Sequence, residues 1–341
     1  MPVLDGLPGV SMGRYTRRNR AVVCSAAAMC LLGAIMACAG EGSPSGPPAW
    51  AYPINPPAGG APPADAHALR HVPGSQAVYS DAQVADLFVV PDWHPAEHPP
   101  APEVVTHGRA PDVYPCGHCH RITGPGGPEN ARLAGLPAAY IVQQLQDYQH
   151  GLRSTAVPSR LPQTYMIRIA TALTPQEMAA AAGYFSTLAP KDTIRVIEAA
   201  EVPRTHVVGW RLQADAGGVR EAIGHRIIEV PDVPEDFESR DTHATFTAYV
   251  PPGSLARGKV LANNGGNTMP VACIVCHGAQ LRGLGVAPPI AGRSPSYLMR
   301  QLYEIQSGIR AGPNVAPMKI AVAALSSDDL IAVAAWAASL R

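Results

Sequence analysis

Two Cys-x-x-Cys-His pentapeptides, Cys116-Gly117-His118-Cys119-His120 and Cys273-Ile274-Val275-Cys276-His277, lie 157 residues apart. The spacing lets two thiols form thioethers to the vinyl groups of one porphyrin, while the adjoining histidine reaches its iron. A chain that repeats this unit has to build two pockets, each closed by residues downstream of its motif.

The downstream residues repeat as well. The same offset carries Ala134-Gly135 onto Ala291-Gly292, Tyr140 onto Tyr297, Gln144-Leu145 onto Gln301-Leu302, Gly151 onto Gly308 and Arg153 onto Arg310. It then drops to 152 and carries Met166 onto Met318, Leu173 onto Leu325, Tyr184 onto Trp336 and Leu188 onto Leu340. The difference falls in the loop before the methionine, where insertions cost little.

Each repeat predicts helices. Residues 140–149 and 297–306 carry apolar side chains at helical spacing and stop at Gly151 and Gly308. Thr174-Pro175-Gln176-Glu177 and Ser326-Ser327-Asp328-Asp329 read as capping boxes for a last helix in each unit, with Pro175 at its first position. Between the units, residues 193–197, 207–212, 226–230 and 244–250 are rich in Val, Ile, Thr and aromatics and predict short strands. Residues 232–241 read as an acidic, turn-rich loop. The insert is expected to pack as a small β element against one or both units.

Five segments follow: 1–40, an export or anchoring signal; 41–105, a proline-rich linker and irregular stretch; 106–190, the first unit; 191–257, the strand-containing insert; 258–341, the second unit. Eight prolines in residues 43–63 favour polyproline II, as in a tether. Residues 81–90 suit a short helix or a strand. Aromatic content is only 6% beside 36 Pro and 32 Gly, so small domains filled by a cofactor suit the composition. The formal net charge of zero gives no basic excess for nucleic acid.

At the N-terminus, Arg14, Arg17, Arg18 and Arg20 precede residues 21–40, which carry no charge. That is the export pattern. Ile35-Met36-Ala37-Cys38 resembles a lipoprotein box with Cys38 acylated; simple cleavage or a retained membrane helix are the alternatives. All three put the body of the chain outside the cytoplasm, in the periplasm or on the outer face of a bacterial membrane. Arg17-Arg18 also suits twin-arginine export, which is disfavoured because haem is attached after unfolded translocation. With Cys24 and Cys30 also in this segment, no cysteine beyond the motifs remains for a structural disulfide.

The axial set follows from position. His120 and His277 are fixed by the motifs. A soft distal ligand is expected on a loop returning over each ring, and Met166 and Met318 occupy equivalent places ahead of the last helices. In the first unit, His150 and His107 compete with Met166. Met178 and Met299 align with apolar helix positions and read as core, and Met269 lies too near its motif. His94 and His98 have metal-ligand spacing, but Pro95 breaks the helix that would align them. His118 is expected to face solvent, and His206, His225 and His243 to be surface or structural. Tyr140, Tyr297, Arg153 and Arg310 are candidate haem-propionate contacts. For the tyrosines, packing is the alternative; for the arginines, a solvated helix end.

These motifs, with Leu133-Ala134-Gly135, Ile290-Ala291-Gly292, the helices at Tyr140 and Tyr297, Met166, Met318 and the last helices, resemble tandem dihaem class I cytochromes c of the cytochrome c4-like kind. About half the chain carries the resemblance. It implies a mostly α fold, with two domains each wrapped around one covalent haem c, His/Met iron, and periplasmic single-electron transfer between a respiratory donor and an acceptor. The long insert and the weak helix ahead of each motif depart from the pattern; Gly258-Lys259-Val260-Leu261 lacks the aromatic usually found there. Two other readings are a catalytic dihaem oxidoreductase, peroxidase-like or thiosulfate-oxidising, and a cytochrome subunit of a larger dehydrogenase complex. The first needs an open iron position, which matched methionines disfavour. In the second, the insert and its acidic loop would be a docking surface.

Overall fold

The computed structural model describes residues 46–57 and 65–341. The segment 1–40, with Cys24, Cys30 and Cys38, lies outside the described residues. Chain order is β1 (Leu69–Arg70), β2 (Tyr79–Ser80), α1 (Asp81–Ala85), α2 (Glu103–Thr106), α3 (Cys116–His120), α4 (Ala138–Gln149), α5 (Leu161–Ala172) and α6 (Pro175–Thr187). The insert follows with β3 (Ile194–Glu198), β4 (Glu201–Pro203), β5 (Thr205–Val208), β6 (Arg211–Ala214), β7 (Arg220–Ala222), β8 (Ile228–Pro231), α7 (Pro234–Glu238) and β9 (Phe246–Val250). The second unit holds α8 (Ser254–Asn264), α9 (Cys273–His277), α10 (Pro295–Gln306), α11 (Ala316–Val322) and α12 (Ser327–Ser339).

The fold is mostly α, with a similar run of helices built once around each motif. Capping fixes where the last helices begin. Thr174 and Ser326 each accept from the backbone three residues on, and Glu177 and Asp329 reach back. Gly151 and Gly308, with φ of 69° and 79°, end α4 and α10. Each unit has its own core. In the first, Leu145, Ile169, Met178 and Phe185 pack together; in the second, Leu261, Met299, Leu302, Leu330 and Ile331 do. The core reading of Met178 and Met299 therefore holds, at 2% and 1% exposed.

The helix ahead of the second motif is not held by an aromatic of its own. A Cβ on Gly258 would lie 2.0 Å from the Ala332 carbonyl oxygen and 2.7 Å from Trp336 Cβ. The missing side chain lets α8 close directly onto α12, and that contact replaces the expected ring. In the first unit the corresponding helix is the single turn α2, packed against α3 and α6.

In the insert, β9 pairs parallel with β3 and antiparallel with β8, β4 pairs with β7, and β5 forms a hairpin with β6. The strand expected over 207–212 is interrupted. Gly209 and Trp210 both take positive φ, 58° and 65°, and form the two-residue turn of that hairpin. The acidic 232–241 stretch folds in part as α7, with Phe237, Ser239 and Asp241 buried. It packs on the first unit: Trp93 Nε1 donates to Ser239 O at 2.7 Å, and Arg240 Nη1 to His118 O at 3.1 Å. Val196 of β3 packs on the second core, so the insert touches both units.

Where it is described, the proline-rich stretch is docked rather than a free tether. Ala51 and Tyr52 are 0% and 3% exposed against the second core. The Ala51 carbonyl accepts from Arg300 at 2.9 Å, the Tyr52 hydroxyl meets Glu304 at 3.3 Å, and Asn55 accepts the Trp210 N–H. Proline runs bury little, but the Trp50-Ala51-Tyr52 interruption carries enough apolar surface to dock. Residues 81–85 resolve as helix, capped by Ser80 and Gln83.

Candidate haem sites

Both pentapeptides form a single helical turn, which brings the two cysteines and the histidine onto one side. None of the four cysteines is in a disulfide. Burial pushes the Cys116 thiol up to about 12 and Cys273 to about 11, so neither is a ready thiolate.

The histidines are held identically. His120 Nδ1 lies 2.8 Å from Ala131 O, and His277 Nδ1 lies 2.8 Å from Pro288 O. A carbonyl oxygen only accepts, so each Nδ1 carries the proton and each Nε2 presents a lone pair. Burial lowers both histidine pKa values, His120 to about 4, and favours the neutral ring a metal needs. In the second unit, Met318 Sδ stands 3.4 Å from His277 Nε2. A thioether is an acceptor too, so two lone-pair donors face each other with no proton between them. A shared Lewis acid would suit that pair; a hydrogen bond cannot form.

In the first unit, His120 and Met166 line one cleft with Cys116, Cys119, Leu145 and Phe185, enclosing about 1170 Å³ of atom-free space, part of it open to solvent. Its size and mainly apolar wall suit a porphyrin. Met166 sits within α5 and Met318 within α11, not on the returning loops expected for them. The rival histidines point elsewhere: His150 is exposed at the end of α4, and His107, also exposed, pairs with Glu103 at 3.1 Å.

His118 does not face solvent. It is 0% exposed, Nδ1 meets Val89 O at 2.8 Å, and burial, with Arg240 nearby, drives its pKa down to about 3. The cause is tertiary, since residues 86–90 and the insert close over the first motif.

Arg153 and Arg310 are not solvated helix ends either; they are 7% and 6% exposed. They pair through their backbones and exchange side chains between units. Arg153 donates to Gln144 at 3.0 Å, to Gln301 at 2.8 Å and to the Tyr297 hydroxyl at 3.2 Å. Arg310 donates to Gln301 at 3.0 Å, to Gln144 at 2.6 Å and to the Tyr140 hydroxyl at 2.9 Å. Gln144 and Gln301 in turn donate to Asp147 and Glu304, both at 3.2 Å. The result is a near two-fold clasp made of repeat-equivalent residues. Gln144, Asp147, Gln301 and Glu304 carried no functional expectation. Their positions in the repeat were visible, but only folding sets them face to face.

His94 stacks on His243 with ring centroids 3.9 Å apart and 12° between planes, beside Asp241. An ion bound to both rings would sit well outside their planes. Their ring nitrogens already meet Asp241 and Glu97 at 2.9 Å. His98 pairs with Asp92 at 3.1 Å, apart from His94.

No protein-family model matches the chain. The thiosulfate dehydrogenase electron acceptor of Stutzerimonas stutzeri (strain A1501) is 27% identical over 242 residues, spanning 70% of this chain and 85% of that one. Cytochrome c-554(548) of Halomonas halodenitrificans is 34% identical over 68 residues, 20% of this chain and 82% of that protein. Among solved structures, thiosulfate dehydrogenase (TsdBA) from Marichromatium purpuratum is similar at 27% identity and a TM-score of 0.47, covering 70% of this chain and 39% of that one. Reduced cytochrome c4 from Pseudomonas stutzeri gives 21% identity and a TM-score of 0.43, covering 66% and 93%.

The chain belongs to the cytochrome c family and, with its two attachment motifs, to the dihaem members. It carries two covalent haem c groups, one per motif, and its function is electron transfer.

Proposed function

We propose that the protein is a periplasmic carrier of single electrons, with His120 and Met166 as axial ligands of the first haem iron and His277 and Met318 of the second. Haem c supplies a one-electron Fe(III)/Fe(II) couple, and a thioether ligand raises its potential. The protein's part would be to hold each imidazole by its Nδ1 proton, to keep water out with apolar walls, and to offer the methionine sulfur as a second ligand. The observation that carries this reading is the approach of Met318 Sδ to within 3.4 Å of His277 Nε2, which gathers two metal-ligand atoms at one place. Tyr140, Tyr297, Arg153 and Arg310 gather cation and hydroxyl groups between the units, where propionates would be neutralised. The electron donor is a quinol-side complex or a periplasmic dehydrogenase. The relatives named as thiosulfate dehydrogenase electron acceptors favour a dehydrogenase of a reduced sulfur compound.

The test is to mix reduced, purified protein with peroxide and with carbon monoxide, and oxidised protein with a thiosulfate dehydrogenase and its substrate. Unchanged ligand spectra and rapid reduction of both haems are expected. Uptake of carbon monoxide at either iron would instead favour the catalytic reading.

Membrane attachment through Cys38 or a retained helix concerns residues outside those described. Among the described residues no single helix is long and apolar enough to cross a membrane. Cys38→Ser is expected to release the protein into the soluble periplasmic fraction; retention on membranes would point to a helix or a partner.

A further inference from the structure

Arg293 belongs to the second unit but stands in the wall of the first unit's cleft. It is 5% exposed. Two of its nitrogens are used structurally, Nε donating to Pro289 O at 2.7 Å and Nη1 to Arg132 O at 2.8 Å. Arg132 returns the contact, donating to Ala291 O at 2.6 Å and Gly292 O at 3.0 Å. The remaining nitrogen, Nη2, is buried with no hydrogen-bond partner. Among the described residues no carboxylate lies within ion-pair distance of Arg293. A buried guanidinium without an anion is costly, and a fixed anion beside it removes most of that cost.

The arrangement is one-sided. At the repeat offset, Arg293 corresponds to Leu136 and Arg132 to Pro289. The first unit therefore has no residue equivalent to Arg293, in contrast with the two-fold exchange of Arg153 and Arg310.

We infer that Arg293 is a binding residue for the haem of the other unit: it reaches across the interface to hold a propionate of the first haem and raises that haem's potential more than that of its own unit. The clasp with Arg132 positions it. A cation beside one haem disfavours the more positive oxidised iron there, so two similar pockets acquire different potentials. The inference rests on the first cleft holding a haem ligated as proposed.

The experiment is a redox titration of Arg293→Gln and Arg293→Lys holoprotein, with potentials assigned to each haem by comparison with Met166→His and Met318→His variants. Haem content is measured first, so loss of the first haem itself is distinguished from loss of this contact. For Arg293→Gln, the first haem's reduction equilibrium is expected to move about tenfold toward oxidation, about 59 mV for a one-electron couple. The second haem should move the same way by less, since the Arg293 charge also reaches His277. Arg293→Lys keeps the charge and should move the first haem in the same direction by less; it remains informative should the glutamine variant not fold. A shift confined to the second haem would mean that Arg293 serves its own unit. Equal shifts of both haems, no shift in either variant, or a lysine effect as large as the glutamine effect would likewise overturn the inference.

Discussion

His277 and Met318 meet at 3.4 Å through two atoms that both offer lone pairs, Nε2 and Sδ. Met318→Ala should leave the second haem attached but abolish its near-infrared sulfur–iron band and lower its potential. Met166→Ala should do the same to the first haem alone. An unchanged spectrum in either variant would refute that ligand.

The clasp of Arg153 and Arg310 should be strongly coupled. Each arginine serves both Gln144 and Gln301, so removing one leaves buried carbonyls short of a donor. Arg153→Met and Arg310→Met should each cost about 1–3 kcal/mol. The double variant should cost clearly more than their sum, because each glutamine oxygen keeps one arginine donor in either single variant and has none in the double. Urea unfolding of the four proteins measures this, and strict additivity would show that the exchange is incidental.

Gly258→Ala places a methyl group 2.0 Å from a backbone oxygen of α12. Backbone cannot yield as a flexible side chain can, so the helices must separate, at about 1–3 kcal/mol or more. Thermal unfolding should show a lower Tm, with the second haem's ligand band lost first. A Tm equal to the parent's would mean that this crossing is looser than described.

Glu177 is expected to set part of the acid stability. Pairing with Arg109 at 2.9 Å, together with Thr174, holds its carboxyl at about 2 rather than 4.5. A depressed native pKa stabilises the fold above pH 4.5, and the benefit is lost as pH falls toward 2. Between those values Glu177→Gln should lose less stability than the parent. Parallel stability–pH curves for the two would contradict the assignment.

Much of the molecule is legible in the residues themselves. Covalent attachment demands two thiols and an imidazole at one fixed spacing, so the motifs announce their chemistry without a fold. Local signals placed the helices too, because capping at Thr174 and Ser326 and the stops at Gly151 and Gly308 are settled within a few residues. Met166 and Met318 stand out as ligand candidates because the repeat aligns them, although the segments that carry them are helices and not loops.

What the sequence could not determine depends on partners distant along the chain. His118 reads as a solvent-facing motif residue until residues 86–90 and the insert cover it. Arg153 and Arg310 look like helix ends until the two units are set face to face, and Gly258 looks like a missing aromatic until α12 lies against it. Arg293 lines a cleft belonging to the other half of the chain. Covalent spacing and helix ends are short-range matters that a sequence states directly. Burial and charge pairing are decided by which surfaces meet, and here only the packing of the two units and the insert brings those surfaces together.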